Sequence, residues 1–324
     1  MIKNLSNILS SRSTLMVLAF TALYFIWGST YLAITIAIET MPPLTMLGFR
    51  FGVAGLIMLI WLALRGKPLP TISQWRSAFL VGTLMLCLGT GSLAVAMQYI
   101  PSGLAALIIS TVPLWMVLTD WLWKGGERPS LIFFGGLAIG LAGVALLIDP
   151  GTFANGLQAD AWAMLGIIAG AICWSAGSIH GKEADLPKDP FMSTAIQMVG
   201  GGVALVTGGM LMGEELVLSL EMFSTRSIMA WLYLLVFGSF IAFSAYIWLM
   251  RNTTPAKVST YAYVNPVVAM YLGWAFAGEE ITSRILLASM LLVSAVVIVI
   301  RYGPGKQAKK SLSVKPKYQV KRTS

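Results

Sequence analysis

Long apolar stretches separated by short polar ones dominate the hydrophobic pattern of this chain. Each stretch has roughly 19 to 24 residues, close to the ~20 that a helix needs to cross ~30 Å of hydrocarbon. The ten stretches are 15–38, 43–64, 76–97, 102–123, 130–148, 161–181, 191–212, 228–250, 256–277 and 284–302. The pattern therefore predicts an all-α membrane protein with ten transmembrane helices.

The longest polar connection, residues 149–160, divides the ten spans five and five. We accordingly predict a short N-terminal segment at 1–14, a first five-helix unit at 15–148, a linker at 149–160, a second five-helix unit at 161–302 and a tail at 303–324. The first span is longer than the apolar core of a signal peptide and has no evident cleavage site, so we expect a retained helix.

Residues at a constant spacing relate the two halves. At 147 residues the pairs are Trp27 with Trp174, Pro43 with Pro190 and Arg50 with Gln197; at 153 they are Pro113 with Pro266 and Glu127 with Glu280. Because each half has an odd number of spans, the second copy enters the membrane from the opposite side. This predicts two inverted-topology repeats, an architecture of secondary transporters. Chance matches among apolar helices are the alternative, and the preserved order argues against them.

The basic residues lie mostly on one side of the predicted membrane. Of the 22 Lys and Arg residues, 19 fall on one side, two on the other, and Arg50 inside a span. Because Lys and Arg favour the cytoplasm, both termini are predicted to be cytoplasmic and the 149–160 linker periplasmic. Seven basic residues lie in the 303–324 tail, so the net charge of +9 is local and does not indicate nucleic acid. The tail is a candidate for binding anionic lipids or a simple topology anchor.

The composition excludes several classes of function. The chain is 57% hydrophobic and 11% charged, whereas soluble domains carry about 25% charged residues. Zinc-ligand spacing, a P-loop and a Ser-His-Asp pattern are absent from the sequence, and both cysteines fall in apolar spans. We therefore predict no cofactor, no metal and no enzymatic activity.

Several motifs carry a resemblance to a known family. They are Trp27-Gly28-Ser29-Thr30-Tyr31, Pro42-Pro43 with Arg50, Pro101 to Ala106, Thr111-Val112-Pro113, Ser259 to Pro266, and Gly278-Glu279-Glu280. In combination they resemble the EamA family of the drug/metabolite transporter superfamily, in particular its bacterial inner-membrane permeases. The resemblance implies ten helices in an inverted repeat and secondary transport of small metabolites. It also implies an inner-membrane location and, often, export of amino acids or their analogues.

Prolines inside apolar spans indicate where a binding site lies. Pro113 and Pro266 are predicted to break their helices, and such breaks survive in a membrane only where protein or a water-filled cavity surrounds them. The candidate substrate-binding residues are the two tryptophans, the residues beside the breaks and the one cation inside a span: Trp27, Trp174, Ser110, Thr111, Pro113, Tyr261, Tyr263, Asn265, Pro266 and Arg50. Inverted symmetry predicts that the tryptophans line opposite walls of one cavity.

Structural interpretations of these residues stay open at this stage. The tryptophans could serve packing alone, and Arg50 could be a structural clamp or reach towards an interface. His180 and Asp120 are candidates for carrying a coupling proton or for simple solvation. An importer, a membrane-embedded receptor or a membrane-embedded enzyme is the alternative function, and a homo-oligomer remains open. The short loops hold no catalytic set, and the 22-residue tail is no output domain.

Overall fold

The computed structural model describes residues 12–125, 128–147, 159–216, 220–253, 255–258 and 260–302. Within these residues every regular element is a helix. We number the long ones α1 Arg12–Ala37, α2 Pro43–Leu64, α3 Ile72–Ala96, α4 in two segments Ser102–Ile109 and Val112–Lys124, α5 Leu131–Leu147, α6 Ala159–His180, α7 Pro190–Leu211, α8 Thr225–Asn252, α9 Tyr261–Ala277 and α10 Ser283–Tyr302. Single turns at Leu220–Met222 and Pro255–Val258 precede α8 and α9.

Seven of these helices are long and apolar enough to cross a membrane, namely α1, α2, α3, α4, α6, α7 and α8. The apolar stretches of α5, α9 and α10 are shorter. The all-helical prediction is confirmed for the described residues. The arrangement of ten spans in two inverted repeats stays a prediction. The linker core, the tail and Glu127 lie outside the described residues.

Prolines and glycines set the helix limits. Pro43 and Pro190 stand in the first turns of α2 and α7, where the missing N–H costs nothing. Left-handed glycines follow α2, α4, α7 and α9 at Gly66, Gly125, Gly213 and Gly278, with φ of 71, 64, 87 and 68°. This backbone conformation is one that only glycine adopts cheaply. The four form two pairs at the spacings of 147 and 153 that relate the halves.

The predicted break in α4 is present, and the predicted break at Pro266 is wrong. The first segment of α4 ends before Ser110 and Thr111, and Pro113 lies in the first turn of the next segment. In contrast, α9 continues through Pro266 to Ala277. The interruption in this part of the chain comes earlier, at Thr260, between the single turn and α9.

Three of the long helices contain π-helical stretches. These are Ala22–Trp27 in α1, Thr83–Gly91 in α3 and Leu234–Phe243 in α8. A π turn widens the helix and leaves its backbone bonds less regular, and such turns are common at functional sites. All three stretches contribute residues to the cavity described below.

The helices of the first half pack chiefly on helices of the second half. These contacts join α2 to α7, α5 to α10, α3 to α6 and α7, α1 to α8 and α9, and α4 to α6 and α9. Small residues allow the α2–α7 backbones to approach closely: a Cβ on Gly55 would lie 2.6 Å from the Ala195 carbonyl oxygen, and one on Gly202 2.9 Å from that of Gly48. Close approach through small residues is a common way for membrane helices to associate.

Hydrogen bonds and ion pairs mark the two ends of this bundle. At one end, which we call the basic end, Arg12 contacts Asn252, Arg251 contacts the loop before α7, and Lys67 contacts Asp189. At the opposite, acidic end lie Glu39, Glu214 and Glu279.

Candidate functional site

A cavity lies between the two halves of the chain, and we call it the central cavity. Its walls come from α1, α2, α3, α4, α6, α8 and α9. The lining residues are Trp27, Thr30, Tyr31, Ile34, Arg50, Phe51, Leu86, Gly89, Thr90, Leu93, Ile109, Val112, Gly170, Trp174, Gly238, Phe243 and Tyr261. No acidic, lysine or histidine side chain is among them.

An aromatic cluster forms one wall of the central cavity. The Trp27 ring lies 5.7 Å from Trp174, 5.1 Å from Tyr246 and 5.2 Å from Tyr261, measured between ring centroids. Trp174 in turn lies 6.4 Å from Phe243. Edge-to-face pairs at these distances stabilise an aromatic cluster beyond simple burial. Both tryptophans line the cavity as predicted, but they touch edge to face, so the expectation of opposite walls is wrong.

Glycine allows this cluster to form against α3. A Cβ on Gly89 would lie 3.1 to 3.2 Å from side-chain atoms of Trp174, closer than ordinary van der Waals contact. Gly89 belongs to the π-helical stretch of α3. The widened turn and the missing side chain together give the indole of Trp174 its place. The indole nitrogen of Trp174 is buried and has no hydrogen-bond partner among the described residues.

Among the described residues of the cavity wall Arg50 is the one that carries a charge, and it is 3% exposed. Its Nε donates a hydrogen bond to Ser239 Oγ at 2.9 Å, and its guanidinium carbon lies 4.5 Å from the centre of the Phe51 ring. It forms no ion pair with any carboxylate of the described residues. Gly238 leaves room for the guanidinium, because a Cβ there would collide with Nη2.

The residues at the α4 break use their polar groups within the helix. The Ser110 hydroxyl donates to the Leu107 carbonyl at 2.6 Å, and the Thr111 hydroxyl donates to the Ile108 carbonyl at 2.7 Å. Both side chains are buried, and neither lines the central cavity. Pro113 is also absent from the lining, although its neighbour Val112 is present.

Asn265 joins α9 to α1. Carbonyl oxygens of Tyr261, Leu23 and Tyr24 lie 3.2, 3.2 and 3.0 Å from one end of its amide, so the amide nitrogen points there and donates to them. Leu23 and Tyr24 belong to the π-helical stretch of α1, whose backbone bonding is irregular. Asn265 and Pro266 are buried away from the cavity lining. Tyr263 lies within α9, and its side chain is outside the described part.

Four of the predicted site residues, Arg50, Trp27, Trp174 and Tyr261, lie together on the central cavity, and sequence reasoning missed other residues there. The missed residues are Thr90, Phe51, Phe243, Gly238 and, behind the aromatic wall, Tyr246. Tyr31, which also lines the cavity, could have been found, because it lies four residues from Trp27 on the same helical face. The sequence does not mark Phe51, Phe243 and Gly238, because phenylalanine and glycine are ordinary residues in an apolar span.

A second cavity lies at the basic end. It is lined by Val81, Met85, Gly177, Ser178, Gly181, Lys182, Ala184, Leu186, Pro187, Lys188, Gln197, Tyr246, Ile247, Met250 and Arg251. Lys182, Lys188 and Arg251 are exposed, so this cavity reaches the surface. Tyr246 is fully buried and stands between the two cavities, its hydroxyl 2.7 Å from that of Ser178.

The candidate proton carriers lie away from the central cavity. His180 ends α6 and stacks on Trp123, with ring centroids 5.7 Å apart, and its Nδ1 is buried without a hydrogen-bond partner among the described residues. Asp120 is half-buried in α4. Neither side chain lines either cavity.

Comparison with known protein families covers most of the chain. The sequence profile of the EamA-like transporter family matches twice, at residues 14–149 and 161–301. The chain belongs to this family. As an EamA-like protein it is a multi-pass membrane transporter of small metabolites, in agreement with the resemblance found in the sequence.

Individual relatives extend over most of the chain. It is 42% identical over 282 residues to the uncharacterized inner membrane transporter YedA of Escherichia coli (strain K12), covering 87% of this chain and 89% of the relative. It is 27% identical to a WAT1-related chloroplastic protein of Arabidopsis thaliana, covering 85% and 67%. A solved crystal structure matches with a TM-score of 0.62 at 22% identity, over 89% of this chain and 98% of the other. That likeness concerns the fold alone.

Proposed function

We propose that this chain is a secondary transporter that exports amino acids or related compounds across the inner membrane by alternating access. The observation that carries the proposal is the central cavity, which lies between the halves and is walled by helices from both. Substrate sites at such interfaces are typical of transporters built from repeats. The contacts of α2 with α7, α4 with α9 and α5 with α10 are the pairings that inverted repeats would produce.

Some of the candidate residues are proposed to touch the substrate, and others to hold the helices around it. Trp27, Trp174, Tyr261 and Arg50 line the cavity and are proposed to touch the substrate. Pro113 has no N–H to offer the carbonyl of Ile109, whose side chain lines the cavity, so this backbone oxygen is proposed as an acceptor. Ser110, Thr111, Asn265 and Pro266 are proposed to hold the helices around the site rather than to contact the substrate.

Metabolite profiling with matched tryptophan variants tests the proposal. Cells that overproduce the chain should hold less of its substrate inside and release more, whereas an importer would do the reverse. The Trp27→Phe and Trp174→Phe variants should reach the membrane normally and raise the apparent KM up to ~30-fold, since an aromatic contact contributes about 0.5–2 kcal/mol. Trp162→Phe is the control, because Trp162 is 61% exposed.

An unchanged metabolite distribution on overproduction would contradict transport itself. Wild-type transport by both tryptophan variants would instead place the substrate elsewhere. The same assay at two external pH values tests whether transport is coupled to a proton, because proton-coupled export would follow the pH gradient.

A further inference from the structure

The central cavity carries one positive charge that the described protein does not neutralise. Arg50 lines it, and no carboxylate of the described residues pairs with that guanidinium. A buried charge without a partner is costly, and ionisable groups at membrane depth by default mark a function. The Ser239 hydroxyl and the Phe51 ring contact the guanidinium, but neither carries a negative charge.

The geometry leaves most of the guanidinium donors available. Nε donates to Ser239, and no hydrogen bond joins either Nη to the described residues. Nη2 itself lies against Gly238, in the space that a side chain at this position would take. The planar fork of an arginine matches a carboxylate with two parallel hydrogen bonds.

The indole N–H of Trp174 does not supply a second free donor. It makes no hydrogen bond of standard geometry to the described residues, but it is buried, and the Tyr246 and Tyr261 hydroxyls interact with the Trp174 side chain. The Thr30 hydroxyl, which also lines the cavity, donates to the Trp27 carbonyl at 2.7 Å. The unused donors of the cavity are therefore those of the Arg50 guanidinium, and none of the described lining residues is an acid that would attract a cation.

We propose that the central cavity selects an organic carboxylate, with the anion at Arg50 and a planar or apolar body against Trp27, Trp174 and Tyr261. This inference rests on the proposed function, because it names the charge class of the transported compound. An α-ammonium group on the same compound would meet aromatic faces, the hydroxyls of Thr30 and Thr90 and the proposed Ile109 carbonyl, none of which carries a negative charge, so the carboxylate supplies the charge recognition. Amino acids and simple carboxylic acids share this anionic group.

A charge series on one ring system tests the proposal with purified protein in detergent. The probes are indole-3-acetate, its neutral amide indole-3-acetamide, the cation tryptamine and the zwitterion tryptophan, followed by calorimetry. We expect indole-3-acetate to bind at least about tenfold more tightly than the amide, since a hydrogen bond to a charged group exceeds one to a neutral group by that factor. Tryptamine should bind most weakly, and tryptophan decides whether an ammonium group is tolerated.

Arg50 variants assign this preference to one side chain. Arg50→Gln should bind acetate and amide equally, and the sequence itself has a glutamine 147 residues later, at Gln197. Arg50→Lys should keep part of the preference, because it keeps the charge without the fork. Arg65→Gln is the control, since Arg65 follows α2, is exposed and carries the same charge. Should Arg50→Gln fail to fold, Arg50→Lys and the wild-type series still decide the matter.

Equal binding of acetate and amide by the wild-type protein overturns the inference, as does a preference that survives in Arg50→Gln. Tighter binding of tryptamine, or no binding of any probe at millimolar concentration, also overturns it. None of these results bears on whether cells release a metabolite when the chain is overproduced. Failure of the charge preference and failure of transport are therefore separate outcomes.

Discussion

The loops that follow α2 and α7 occupy equivalent positions in the two halves, yet they hold opposite ends of the bundle by different chemistry. Glu214 lies 147 residues after Lys67. The Glu214 carboxylate accepts hydrogen bonds from the backbone N–H groups of Leu44 at 2.9 Å and Thr45 at 2.7 Å, in the first turn of α2. Lys67 instead pairs with Asp189 at 3.1 Å, just before α7.

The difference follows from how each helix begins. Proline occupies the N-cap of α2 and offers no side-chain acceptor, so the first N–H groups of α2 depend on a carboxylate from the other half. In contrast, α7 has its own cap, Asp189, which accepts from the N–H groups of Phe191 and Met192. The polar contact of this cap with the first half is an ion pair with Lys67, whose two side chains are 50% (Lys67) and 26% (Asp189) exposed.

At the acidic end the N-terminus of a second helix, α4, is also bound by a carboxylate from the other half. Glu279, which follows α9, accepts hydrogen bonds from the backbone N–H of Ser102 at 2.7 Å, from the Ser102 hydroxyl at 2.5 Å and from the N–H of Gly103 at 3.0 Å. Charge-assisted bonds to a helix N-terminus are among the stronger polar interactions. The two halves are therefore held more firmly at the acidic end, whereas the basic end contains a cavity that reaches the surface.

The largest effect is expected at Glu214. Glu214→Gln removes the charge and places an amide NH₂ among backbone donors, which should lower the free energy of unfolding in detergent by about 2 to 3 kcal/mol. Thermal unfolding measures this change. The neighbouring Glu215 is exposed, so Glu215→Gln is the control and should leave stability unaltered. Equal stability of the two variants would show that α2 does not depend on the Glu214 carboxylate.

A smaller effect is expected at Asp189, which caps its own helix and forms the exposed ion pair with Lys67. Asp189→Ala should cost about 1 to 1.5 kcal/mol, of which about 1 kcal/mol is the usual value for the loss of an N-cap. Asp185→Ala, in the same loop and exposed, should cost nothing measurable. A loss as large as that of Glu214→Gln would erase the distinction between the two ends.

The Asp189 carboxyl also predicts the direction of a pH effect. Partial burial raises its pKa, but the Lys67 contact and the N–H groups of Met192 and Phe191 lower it more, so the pKa lies below the ordinary value. A carboxyl with a lower pKa in the folded state stabilises the fold above its unfolded pKa of ~3.9. That contribution disappears as the pH falls through the folded pKa. The wild-type protein should therefore lose its advantage over Asp189→Ala only below about pH 4.

Much of the fold could be predicted because apolar length and proline position act locally. The predicted span 43–64 coincides with α2, and the interruption of α4 lies just before Pro113. The break predicted at Pro266 is wrong because whether a proline interrupts a helix depends on the surrounding segments. In the structure α9 continues through Pro266, and the adjacent Asn265 amide donates to carbonyls of α1. The π-helical stretches have no sequence signal in segments that are apolar on every face.

The site could be predicted only in part for the same physical reason. Arg50 was visible because a charge inside an apolar span is unusual. Its partner Ser239 lies 189 residues away in α8, and no spacing connects the two. Tyr246 likewise takes its place behind the aromatic wall through packing against Trp27 and Trp174. Contacts between distant segments depend on the assembled bundle, which local patterns do not describe.

The smallest effect is expected at Lys67, and it tests the comparison most directly. Lys67→Ala removes the ion pair with Asp189 and leaves the cap of α7 in place. Exposed ion pairs contribute about 0.2 to 1 kcal/mol, and the contribution falls as solvent exposure rises, so the loss should be at most ~0.5 kcal/mol.

Salt screens exposed charges over about 8 Å at physiological ionic strength. The difference from wild type should therefore vanish in high salt, whereas the loss in Glu214→Gln should persist because its partners are backbone N–H groups in a partly buried site. Lys257→Ala, another exposed lysine at the basic end, is the control for net charge. A loss in Lys67→Ala that matches Glu214→Gln and resists salt would mean that the two repeat-related loops hold the halves equally.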